Sequence, residues 1–233
     1  MALPILDTAT YELTLPSSDV QVKYRPFLVK EEKILLQAME SQEQKQIVQA
    51  LKDIVNVCTH GQLNVDELPT FDLEYVFLQI RGKSVGEKMK INILCPDDKK
   101  TYVPTEIMLD DIRMKTDTIT DGDIKLIDGV GITMRYPRIK DMMEMNEEDG
   151  AVKISMDIIE KTVKNIYDKE EVYEEFSKKE LDDFIEQLNT EQFEKIQEFY
   201  DTAPKLSHTV MVTNPNTGIE SEVVVEGLQS FLE

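Results

Sequence analysis

The sequence predicts an α+β chain: N-terminal β-hairpin and helices, β-rich middle, helical segment, C-terminal β-hairpin. Three observations predict it. Residues 11–24 alternate apolar and polar on both sides of Pro16-Ser17-Ser18-Asp19. Residues 71–80 carry apolar side chains at helical spacing, and the period falls to two beyond Gly86.

The opening hairpin pairs residues 11–15 with residues 20–24 across a turn of Pro, Ser and Asp, which fix or tolerate turn backbone angles. VKEEKILLQAME then reads as a helix from Val29 to about residue 39. Ser41 and Gln44 have the spacing of a capping box for a second helix, which carries Ile47, Leu51, Ile54 and Val55 on one face. In FDLEYVFLQIRGKSVGE, Leu73, Val76, Phe77 and Ile80 form one stripe, with Phe71, Tyr75 and Leu78 beside it. That width predicts a helix buried round much of its circumference. Thr70 suits its N-cap, Asp72 and Glu74 its positive end, and Gly82 the left-handed position that stops it.

Residues 87–115 read as strand, turn and strand, with CPDDKK as the turn, and DIKLIDGVGITMRYP continues the β-rich stretch. Residues 150–200 return to helical spacing. AVKISMDIIEKTVKNIY places Val152, Met156, Ile159 and Val163 on one side, Ser177 with Glu180 makes a capping box, and Thr190 starts the next helix. The tail is a hairpin around Asn214-Pro215-Asn216-Thr217-Gly218, closed by a short apolar turn. No internal repeat is visible along the sequence. The segments divide as residues 1–140, an acidic helical stretch 141–206, and the terminal hairpin 207–233.

A chain of 233 residues buries a sizeable core. It has no apolar run of the roughly 18 residues that a membrane helix needs, and its N-terminus lacks the basic start of a signal peptide. Two cysteines do not make a disulfide framework. The net charge of −20 argues against nucleic acid, whose binding needs cations to displace counterions, and against an anionic membrane surface. Residues 141–201 hold 20 Asp and Glu against 7 Lys and Arg, so −13 of the excess lies there.

Motifs for chemistry fail on inspection. Gly82-Lys83-Ser84 ends like a phosphate-binding loop, but Phe77 stands where the first glycine belongs, and a helix precedes it rather than a strand. Cys58, His60, Cys95 and His208 are all the soft ligands present, without zinc-site spacing. Asp117, Asp121, Gly122 and Asp128 occupy four positions of a calcium loop. Ile119 blocks the third position, and Asp128 is too short for the twelfth. The expectation is therefore no catalytic residue, no metal and no cofactor.

ELPTFDLEYVFLQIRGKSVGE, CPDDKKTYVP, GVGITMRYP and VTNPNTGIESEVVVEGLQSFL resemble the baseplate hub subunit and hub assembly protein family of T-even-like contractile-tailed bacteriophages. TYELTLPSSDVQVKYRPFLVKEEKILLQA is similar to the N-terminal part of tail-assembly chaperones. The resemblance implies a non-enzymatic hub protein that binds other hub and tail proteins, in the virion baseplate or in the infected cell during assembly. A chaperone absent from the finished particle is the first alternative, an enzyme with an unrecognised site is the second and remoter one, and self-association is left open. On the acidic segment, Glu170, Glu171, Glu174 and Glu175 are the candidates for attracting a basic partner, with Phe184, Phe193 and Phe199 as candidate anchors.

Overall fold

The computed structural model describes residues 7–115, 119–120, 122–146 and 149–231. In chain order, the hairpin β1 (Tyr11–Thr14) and β2 (Gln21–Tyr24) leads into α1 (Val29–Ser41), α2 (Gln44–Cys58) and α3 (Thr70–Val85). The hairpin β3 (Lys88–Leu94) and β4 (Tyr102–Met108) follows, then the two-residue β5 (Arg113–Met114). Next come β6 (Asp123–Ile127), β7 (Val130–Met134), α4 (Ile139–Met143), α5 (Ala151–Thr162) and β8 (Val163–Tyr167). After β9 (Val172–Tyr173), α6 (Lys178–Ile185) and α7 (Thr190–Asp201), the hairpin β10 (Leu206–Thr213) and β11 (Glu220–Glu226) ends the chain. Helices and small antiparallel sheets are mixed throughout, an α+β fold.

Two compact units emerge, residues 1–116 with 205–233, and residues 117–204. The sequence pattern places its divisions at 140/141 and 206/207 instead. Strand pairing accounts for the observed cuts. β5 joins the sheet of β10 and β11 across a long sequence gap, whereas β6 and β7 share a four-stranded sheet with β8 and β9.

In the first unit α3 forms the interior, with Val76, Phe77 and Ile80 at 0% exposure. The predicted ends of this helix shift. Thr70 is its first residue, preceded by Pro69 with no side-chain cap, and the helix runs through Gly82 to stop before Gly86 at φ 117°. Gly82 serves close packing instead, since a Cβ there would lie 2.9 Å from Leu109 Cδ1. The expected Ser41 cap of α2 is also absent: α2 follows Glu43, and the Ser41 hydroxyl donates to Ala38 O at 2.7 Å.

In the second unit Ile132, Met134, Ile159, Leu181, Ile185, Ile196 and Phe199 make the core. The helical reading of residues 151–167 is corrected: α5 ends at Thr162, and Val163 opens β8. Val152, expected on the apolar stripe, is 80% exposed. The β-branched Val163 and Ile166 suit a strand, and the open edge of β7 supplies the ladder that a helix would forgo.

The structure also contains a repeat that the sequence hides. β2 is followed by Arg25-Pro26-Phe27-Leu28-Val29-Lys30-Glu31, and β7 by Arg135-Tyr136-Pro137-Arg138-Ile139-Lys140-Asp141. In each, the arginine pairs with the acid six residues on: Arg25 Nη2 to Glu31 Oε1 at 3.0 Å, and Arg135 Nη2 to Asp141 Oδ1 at 3.2 Å. The same carboxylate accepts the N-cap N–H of the coming helix, Leu28 at 2.7 Å and Arg138 at 2.8 Å. Nη1 donates to the next carbonyl, Pro26 O or Tyr136 O. The arginine N–H reaches the end of the following helix, Cys58 O in one unit and Thr162 O in the other, at 2.9 Å in both. Only Arg and Lys are identical in the two heptads, and α1 is far longer than α4, which is why no repeat shows in the sequence.

Burial alone would raise the pKa of Glu31 and Asp141. The backbone N–H and the guanidinium outweigh it and hold both carboxyls below their ordinary values. Removing one partner of such a buried pair leaves an uncompensated charge, at a cost of about 3–5 kcal/mol. Arg25→Ala and Arg135→Ala are therefore each expected to destabilise the unit that holds them on this scale in denaturant melts. A lowered folded pKa gives stability that is present above the unfolded value, roughly pH 4, and is lost as pH falls through the folded value. The stability gap between wild type and Glu31→Gln should accordingly narrow on acidification from pH 7 to pH 3, and a constant gap would refute the assignment. Phe77→Ala should cost about 3–5 kcal/mol by cavity formation, against less than about 1 kcal/mol if that side chain were not interior.

Candidate partner-binding surface

The acidic stretch of the second unit is built on the turn from β8 to β9. Asp168 organises it: its carboxylate accepts Glu170 N at 2.8 Å, Glu171 N at 2.9 Å and the Tyr173 hydroxyl at 3.0 Å. These bonds, the backbone pair first, hold its pKa below the ordinary value. With the turn fixed by Asp168, Glu170 and Glu171 are free to project outward. Glu174 and Glu175 continue the run, and all four are exposed. Between the two pairs stand Val172, 55% exposed, and Tyr173, 43% exposed. A rigid turn thus displays two apolar side chains inside a carboxylate frame.

The aromatic candidates lie deeper. Phe199 is in the core, stacked on Tyr136 with centroids 4.8 Å apart and edge-on to Tyr200 at 5.4 Å. Phe184 and Phe193 are partly buried and pack against the same core. The four glutamates form one exposed strip, while the three phenylalanines are engaged with the unit's own interior. Val172 and Tyr173 are the exposed apolar groups that sequence reasoning missed. Their signal was the β-branched and aromatic pair within EEVYEE, masked by reading the whole segment as helical.

Elsewhere some of the acids are paired. Lys178 bridges Asp157 and Glu160 from the start of α6, and Lys169 pairs with Asp128 at 2.6 Å. The first turn of α6 is closed by the Ser177–Glu180 capping box.

The other motifs resolve structurally. Lys83 pairs with Glu87 at 2.8 Å, and the Ser84 hydroxyl donates to Ile80 O while accepting Phe27 N, so Gly82-Lys83-Ser84 is helix and anchor. Cys58 and Cys95 are both buried, and burial pushes the Cys58 thiol up to about 11. His208 Nδ1 lies 3.2 Å from Asp111 O. Among the described residues no group of three or more His, Cys, Asp or Glu is placed to hold a metal ion. Asp117 and Asp121 of the calcium-loop pattern lie outside the described residues. No described helix is long and apolar enough to cross a membrane.

Compared with known proteins, the chain matches the sequence model of the T4 bacteriophage base plate protein family over residues 8–233. No curated protein and no solved structure matches it. Because that match takes in nearly the whole sequence, the chain belongs to the T4 bacteriophage base plate protein family.

Proposed function

We propose that the protein is a non-enzymatic component of the baseplate hub that binds other hub and tail proteins during baseplate assembly. The observation that carries this reading is the family match over residues 8–233. The carboxylate-framed strip at residues 170–175 supports it: exposed charge speeds encounter with a basic partner, and the apolar groups inside the frame supply contact. The side chains that would meet the partner are Glu170, Glu171, Val172, Tyr173, Glu174 and Glu175. Phe184, Phe193 and Phe199 pack in or against the unit's own core and are not counted among these contacts.

Mass spectrometry of purified phage particles, paired with pull-down of the tagged chain from infected cells, tests the role. Recovery with hub and tail proteins and presence in the particle are expected. Co-purification during infection with absence from particles would identify an assembly chaperone instead. Neutralising Glu170, Glu171, Glu174 and Glu175 to glutamine should slow association with the recovered partner several-fold at low salt and flatten the salt dependence. A rate unchanged at both salt concentrations removes this strip from the interface.

A further inference from the structure

We propose that the outer edge of β2, at Gln21 and Lys23, accepts an extended strand from a partner protein. The repeated hairpin carries this inference, and the acidic strip plays no part in it. Hydrogen bonding along β2 alternates. Leu15 N donates to Val20 O within the hairpin, so the backbone groups of residues 21, 23 and 25 face away from β1. In the second unit the equivalent groups of residues 131, 133 and 135 face β8, which pairs Gly131 with Tyr167 and Thr133 with Asn165. That third-strand position is filled by the chain itself.

In the first unit no strand of the described residues fills it. Arg25 N keeps its bond to Cys58 O, as Arg135 N does to Thr162 O. At Lys23 a side chain stands in for a strand: Gln62 Oε1 accepts Lys23 N at 3.3 Å, and Gln62 Nε2 donates to Lys23 O at 3.0 Å. An amide side chain carries the same donor and acceptor as one peptide unit, so Gln62 satisfies this single position and no more. Among the described residues Gln21 has no such substitute, and Gln21, Lys23 and Gln62 are all exposed.

The occupant is a strand of the chemistry seen in β8, Val163-Lys164-Asn165-Ile166-Tyr167. Ile166 there lies opposite Ile132, whose counterpart in β2 is the buried Val22. The incoming strand therefore needs an apolar residue opposite Val22, with polar ones opposite Gln21 and Lys23. A different protein fits better than a second copy, because two chains of net charge −20 repel each other. This is strand addition at a sheet edge, in which main-chain bonds give affinity and alternate side chains give selectivity.

The test supplies a strand known to fit. VKNIY is fused ahead of Asp7 through a flexible Gly-Ser linker, which holds it at roughly millimolar effective concentration. Amide exchange at Gln21 should slow at least tenfold, and Gln62→Ala should strengthen that protection by clearing the position at Lys23. A VKPIY fusion, lacking the N–H that faces β2, should give none. Proline is tolerated on an edge strand where its N–H would face solvent. Gln21→Pro is thus expected to leave the melting of the unfused chain within a few degrees, yet abolish the protection that VKNIY gives the Lys23 amide in the Gln62→Ala background. Phage carrying Gln21→Pro should lose at least tenfold in yield. Equal exchange with VKNIY and VKPIY in both the wild-type and Gln62→Ala backgrounds would overturn the acceptor edge. Undiminished yield would overturn its use by a partner, and protection that rises with concentration of the unfused chain would give the edge to a second copy.

Discussion

An arginine placed one residue beyond a strand end brings both a guanidinium and a backbone N–H, and in both units the two together fix three elements at once. The arginine continues the strand, holds the first helix through the carboxylate that caps it, and holds the second helix by its backbone N–H on a terminal carbonyl. Lysine could not replace the side-chain part, because the planar fork is what lets one side chain reach a carboxylate and a neighbouring carbonyl together. Charge-assisted bonds of this kind are about twice as strong as neutral ones, but two ions must first leave water. The pairing therefore specifies where the helices sit more than it adds net stability. The apolar interiors around Phe77 and around Ile132 and Ile196 supply the larger share.

The acidic excess of the second unit is compatible with this design because most of it stays in solvent. Lys178 and Lys169 form exposed pairs with Asp157, Glu160 and Asp128, each worth little on its own in water. They keep like charges apart along the faces where α5 and α6 expose them. At the β8–β9 turn no lysine intervenes between Glu170 and Glu175, so four like charges project from a backbone that Asp168 holds in place.

The sequence was most legible where local physics decides. The hairpin turns at residues 16–19 and 214–218, the Ser177 cap and the broad stripe of α3 all follow from short-range pattern, and the structure agrees. Legibility failed where a distant element set the outcome. Val163 leaves its helical period because β7 offers a ladder, and Gly82 reads as a stop because Leu109, its packing neighbour, is far along the chain. The heptads starting at Arg25 and Arg135 match in geometry but scarcely in letters, since any helix-capping acid and any residue tolerant of extended backbone will serve between the fixed ends. The engagement of Phe199 with Tyr136 was equally invisible, because periodicity marks a side chain as apolar without saying which surface covers it.

The short ladder between β5 and β10 bears on how such a chain could have grown. Met114 lies opposite Leu206 and Arg113 opposite Ser207, so the first unit closes its own sheet at the two points where the chain departs and returns. Everything between them is, topologically, a guest held by neighbouring strands of its host. A host closed in this way tolerates lengthening, shortening or exchange of the guest without a change in its own register. A hairpin-and-helix module copied into that gap would arrive with its own folding determinant already inside it. The same closure is why the terminal hairpin belongs with residues at the opposite end of the sequence.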